Sequence, residues 1–132
     1  MRGARKKPYE LWFRAQYKER IKNRTLRVAL RPGTRIYPEP KGAQEGEIAT
    51  VRIIIRPGQE DKGIQPIFDD FQQKVRIQKI IVKKIEKLTT RDLQFCLPDC
   101  QDKNSAKKQL EWIYQKPFQD DDVVSLIYFE YL

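Results

Sequence analysis

The chain has 132 residues, 39% hydrophobic and 34% charged, with a formal net charge of +9 and no histidine. That length fits one domain with a real core, and the absence of imidazole excludes Ser-His-Asp and Cys-His catalysis and His-ligated metals. The two cysteines, Cys96 and Cys100, are too few for a thiolate zinc site and lack Cys-x-x-Cys spacing, so they read as ordinary thiols and no metal or cofactor is expected.

The predicted elements begin after a basic arm, residues 1–8, which carries Arg5, Lys6 and Lys7 and ends at Pro8. No apolar segment follows it to make a signal peptide, and no run approaches the ~20 apolar residues of a membrane span, which predicts a cytoplasmic protein. Residues 9–132 are expected to form the domain. "LWFR", from Leu11 to Arg14, is a strand candidate with Trp12 or Phe13 turned inward. "AQYKERIKN" places Tyr17 and Ile21 four apart on one stripe of a short helix. From Thr25 to Arg31, the apolar Leu26, Val28 and Leu30 alternate with Arg27, Ala29 and Arg31, the period of a strand with one buried face.

Pro32-Gly33 closes that strand, and a turn-rich connection containing Tyr37 leads to Ile48–Arg56, where Ala49, Val51, Ile53 and Ile55 form the inward face. "PGQEDKGIQP" reads as an exposed loop. In "VRIQKIIVKKI", Val75 and Ile77 lie in one phase and Ile80 and Val82 in the other, so a bulge is expected that bends the strand as a barrel requires. Ser105 is the candidate N-cap of a helix bearing Ala106, Leu110, Ile113 and Tyr114 at helical spacing and ended by Pro117. The last run, "VVSLIYFEYL", is apolar in both phases, as for a central or barrel-closing strand.

This order of pieces, with Gly46-Glu47 leading into a strand, "LTTRDLQF" after the long β segment and "DDD" before the last run, resembles the ASCH family of PUA-like β-barrels. The resemblance covers roughly residues 9–132. It implies a β-rich α+β fold, a small PUA-like barrel of about five to six strands with two to three short helices. It also implies an RNA-facing cleft beside the first helix and the strand that follows. Against the family signature Gly-x-Lys-x-x-Glu-x-Arg, set on "KNRTLRVA", Lys22 stands at the glycine, Arg24 at the lysine, Arg27 at the glutamate and Ala29 at the arginine. Some members deacetylate N-acetylated cytidine with a Lys, a Thr and a Glu, positions that the same register gives to Arg24, Arg27 and, loosely, Asp99. Arginine stays protonated and Arg27 offers no hydroxyl, so these substitutions argue against that activity.

Charge location carries the functional reading. Residues 1–35 hold 12 Lys and Arg against Glu10 and Glu19, a net of +10, which leaves 15 of the 27 basic and 16 of the 18 acidic side chains for the rest. Such asymmetry is expected of a segment that meets a polyanion. Lys22, Arg24, Arg27, Arg31 and Arg35 are the candidate phosphate contacts, because guanidinium forks suit phosphate oxygens. Tyr37 is the candidate base-stacking ring, and Arg5, Lys6 and Lys7 would add salt-dependent affinity. The expected function is thus RNA binding. The alternatives are an RNA-processing hydrolase, a ribonuclease or acetylcytidine deacetylase, using Arg24 and Asp99, and a protein or ribonucleoprotein partner for the same cations. The carboxylates Asp69-Asp70, Asp99, Asp102 and Asp120 to Asp122 are most often turn residues and only seldom a magnesium site.

Overall fold

The computed structural model describes residues 8–96 and 100–132. The arm carrying Arg5, Lys6 and Lys7, and the loop residue Asp99, lie outside the described residues. Five strands form one sheet in the order β1-β3-β4-β5-β2: β1 Tyr9–Arg14, β2 Val28–Pro32, β3 Ile48–Arg56, β4 Ile67–Lys84 and β5 Val123–Tyr131. A one-turn 3₁₀ segment and α1, Lys18–Lys22, follow β1, and α2, Lys103–Tyr114, lies between β4 and β5. The sheet curls into a half-barrel of five strands accompanied by two α-helices, the small β-rich α+β class expected from the sequence.

In β1, in β3 as far as Ile53 and in the middle of β4, the buried residues are those the period selects. Leu11 and Phe13 of β1, Ala49, Val51 and Ile53 of β3, and Val75 and Ile77 of β4 are all buried, as are Tyr17 and Ile21 on the stripe before and within α1. β3 pairs in parallel with β1 and antiparallel with β4, so β1 enters the sheet through a crossover that contains α1, β2 and the turn-rich loop. The expected bulge falls between Ile77 and Lys79: Ile77 faces Phe129 and Lys79 faces Tyr128, leaving Gln78 as the extra residue. The bulge shifts the inward phase and bends the strand where the sheet curls.

Several expectations are corrected. Ile55, expected inward, is 57% exposed, because the β3–β4 register shifts on either side of Ile54 and the end of β3 leaves the core. β4 starts at Ile67, so Asp69 and Asp70 lie in a strand and not in a loop. Asp69 Oδ1 accepts from the Phe71 amide at 2.8 Å and Oδ2 meets Lys18 Nζ at 3.0 Å. The backbone hydrogen bond and the lysine hold its carboxyl below the ordinary range. The N-cap of α2 is Asp102, whose Oδ1 accepts from Ser105 N at 2.8 Å, and Ser105 is itself inside the helix. A carboxylate at that position also meets the positive end of the helix dipole. Trp12, at 44% exposure, points outward while Phe13 fills the core.

β5 is central, between β4 and β2, and Val124, Ser125, Leu126 and Ile127 are buried in succession. Ser125 interrupts this apolar run for a reason. Its Oγ donates to Gly33 O at 2.7 Å and accepts from Arg35 N at 2.9 Å, fixing the turn that follows β2. Ser125→Ala should cost about 1–3 kcal/mol, the penalty for stranding buried polar partners, read as a lowered urea midpoint at unchanged slope.

β1 and β2 are the two ends of the sheet and share no ladder. Arg31 spans the gap between them. Its guanidinium donates to Trp12 O on β1 at 2.7 Å and lies 4.8 Å from the Phe13 ring centre. Inside the seam, Phe13 and Phe129 approach at 6.4 Å.

Candidate nucleic-acid interface

The chain leaves α1 through a turn built on Asn23, whose Oδ1 accepts from Thr25 N at 3.2 Å and Thr25 Oγ1 at 2.7 Å. This turn puts Arg24 in the left-handed region at φ 63°, which swings its side chain over the Tyr131 ring, 5.8 Å from its centre. Three residues on, Arg27 donates from Nε to Arg24 O at 3.2 Å and lies 5.4 Å from the Phe95 ring centre. The segment carrying Phe95 is tied to the same strand, since Phe95 O accepts from the amides of Arg27 at 2.7 Å and Val28 at 3.2 Å. Arg24, Arg27, Phe95 and Tyr131 therefore form one cluster of cations and rings.

Next to this cluster is a cleft of about 340 Å³ lined by Arg20, Thr25, Gln94, Phe95, Cys96 and Gln101. It lies beside α1 and the approach to β2. Phe95 is 44% exposed. Burial pushes the Tyr131 phenol up to about 12 against the opposing pull of Arg27 and Arg24, so it stays neutral and donates to Leu26 O. Among the described residues, no carboxylate lies within ion-pair distance of Arg20, Arg24, Arg27, Arg31 or Arg35. Their charge is thus not neutralised among the described residues, and the side chains of Arg24, Arg27, Arg31 and Arg35 each rest on a ring or donate to a backbone carbonyl.

The candidates from the sequence are not all gathered at this cleft. Lys22 lies 4.0 Å from Glu19 one helical turn away. Arg31 is at the seam between β1 and β2, and Arg35 donates to Pro32 O at 2.9 Å beyond the far end of β2. The five residues of β2 separate Arg27 from Arg35 by roughly 16 Å of extended chain. Tyr37 is half-buried in the loop closed by the Ile36–Ala43 bridge, on the Arg35 side. The structure thus joins Arg24 with Arg27, and strings Arg31 and Arg35 along the strand away from them. Ala29, expected on the solvated face with the arginines, is fully buried.

Sequence reasoning missed Arg20, Phe95, Gln94 and Gln101. Arg20 precedes the buried Ile21 and so faces away from the core stripe, a signal that the helical period contains. Nothing in the local pattern around Phe95 separates an exposed ring from a core one. Its position depends on the segment from Leu88 to Cys96, which is held by Asp92. The Asp92 carboxylate accepts from Lys83 Nζ at 2.7 Å and from Thr89 N at 3.0 Å, while Asp92 N donates to Thr89 Oγ1 at 3.1 Å. Burial alone would raise the Asp92 carboxyl, but the bonds from Lys83 and Thr89 outweigh it and lower it from the ordinary 3.8. A lowered carboxyl contributes stability that is present above its unfolded value and lost as pH falls through the folded one. Urea midpoints below about pH 4 should therefore fall less steeply in Asp92→Asn than in the unaltered protein, with the variant weaker at pH 7.

The fold is similar to that of an ASCH domain. The match, to the ASCH domain from Lactobacillus crispatus, has a TM-score of 0.49 and 11% identity and covers 86% of this chain and 68% of that one. At this identity the ASCH likeness concerns the course of the chain alone. No family model matches the sequence, and no curated protein matches it.

Proposed function

We propose that the protein binds single-stranded RNA at the cleft beside α1, with Arg20, Arg24 and Arg27 holding phosphates and Phe95 offering its face to a base. The observation that carries this reading is the pairing of Arg24 and Arg27 with Tyr131 and Phe95 where no described carboxylate neutralises them. Cations laid on rings beside an open cleft suit a polymer that alternates negative backbone with flat bases. The amides of Gln94 and Gln101 and the Thr25 hydroxyl, all lining the cleft, are donors and acceptors of the kind that read base edges. A volume of about 340 Å³ is at the small end of ligand sites, enough for one base.

Fluorescence anisotropy with labelled single-stranded and hairpin RNA at two salt concentrations tests the proposal. The expected result is tighter binding of the single strand, weakening with salt as phosphate contacts release counterions. Salt-indifferent binding, or equal affinity for a polyanion without bases such as heparin, overturns it. Hydrolysis finds no specific support among the described residues: the cleft is lined by no described carboxylate, and Arg24 cannot act as a base. RNA incubated with the protein, with magnesium and then with a chelator, should stay intact.

A further inference from the structure

Both tryptophans of the chain lie away from the cleft, and both are largely exposed. Trp12 is 44% and Trp112 50% accessible, a large apolar area to leave in water. Trp12 projects from the outer face of β1, where Glu10 Oε1 accepts its indole N–H at 2.9 Å and fixes its plane. Its ring meets Phe68 of β4 edge-on at 4.9 Å, and Arg52 of β3 covers Phe68 at 3.9 Å. Two residues along β1 on the same face, about 7 Å by the strand rise, Arg14 lies 5.6 Å from the Trp112 ring on α2. Lys108 is one helical turn before Trp112 and shares its face. A strip of alternating rings and cations thus runs across β1, β3 and β4 and onto α2.

We propose that this strip is a second contact surface for single-stranded nucleic acid, on which unpaired bases stack against Trp12 and Trp112 while Arg14 and Lys108 hold the phosphates between them. Charge complementarity favours this occupant over a protein. Arg14 and Lys108 have no carboxylate within ion-pair distance among the described residues, whereas Glu10 is taken up by Arg52 at 3.7 Å and by the Trp12 indole. Open rings on a sheet, interleaved with cations, are the arrangement that binds strands with little sequence preference. The inference rests on the RNA reading of the cleft only for the identity of the polymer, since it uses none of the same side chains.

Because the strip holds both tryptophans, intrinsic fluorescence reports on it and anisotropy of a labelled strand reports on binding anywhere. Titration with a short oligouridylate should quench the emission by about half or more. Trp12→Leu and Trp112→Leu should each weaken binding by about tenfold, as for loss of one stacking partner, and each should remove its own share of the quenching. In Arg24→Ala with Arg27→Ala, quenching should persist at higher RNA concentration. Anisotropy that saturates while the tryptophans stay silent overturns the strip and leaves the cleft standing. Quenching unaffected by the arginine pair, with affinity also unaffected, overturns the cleft and leaves the strip. Sedimentation showing a dimer that Trp12→Leu dissolves, with no RNA effect, assigns the face to a second copy and overturns the proposal.

Discussion

Replacing Arg24 and Arg27 together by alanine should lower the proposed affinity for single-stranded RNA by about 100-fold or more at 0.1 M salt, since each charge-assisted contact contributes about 1.5 kcal/mol or more. The same change flattens the dependence of log K on log salt by about 1.4, from ~0.7 per phosphate contact on a single strand. The two residues act as a unit, because Arg27 Nε donates to Arg24 O and both guanidiniums rest on rings. The fold should survive, since neither side chain is buried and alanine at position 24 takes the left-handed backbone under the same constraint as arginine. Lys84→Ala, exposed at the far end of β4, should change affinity less than threefold, as for one screened surface charge. Equal losses from the pair and from Lys84 would mean that only net charge is being read.

Phe129→Ala should cost about 3–5 kcal/mol, the largest expected effect of a single substitution on stability. The ring is 1% exposed and lies between Tyr131 at 5.7 Å and Phe13 at 6.4 Å, so it fills the space where the two ends of the sheet face each other. Phe129 N also donates to Arg27 O at 3.1 Å, so the cavity opens beneath the backbone that carries the cleft arginine. Against a usual total of about 5–15 kcal/mol, the variant should show a sharply lower urea midpoint. It should also bind RNA more weakly at temperatures where it is still folded. Phe129→Leu, which keeps most of the volume, should recover more than half of the loss.

What the sequence made legible was set by local period. β3 keeps the bounds Ile48–Arg56, the phase change after Ile77 is a bulge, and the doubly apolar last run is a central strand. The failures share one cause, that the deciding contact lies far along the chain. The polar first half of β4 is a strand because β3 pairs with it, which "DDFQQK" does not announce. Trp12 and Phe13 are equal as local apolar residues, and only the β1–β3 register chooses which one turns inward. For the site, the clustering of cations near the amino terminus was readable from charge alone. That Arg31 would be drawn onto Phe13 and Trp12 O, and that Phe95 would arrive beside Arg27, depends on contacts across the sheet.

The pairing of β2 with β5 sets an order of events as the chain is made. Val28 lies opposite Tyr128, and the turn after β2 is pinned by Ser125, 92 residues further on. The arginine-bearing strand is synthesised well before β5, the strand it pairs with, and finds that neighbour only when β5 has been made. Until then its cations sit on a tether with no platform, and assembly waits on closure of a long loop, a slow step for topologies built from distant contacts. The proposed recognition surface and the completed fold would therefore arise together: a ribosome-bound chain stalled before β5 would carry the charge without the shape.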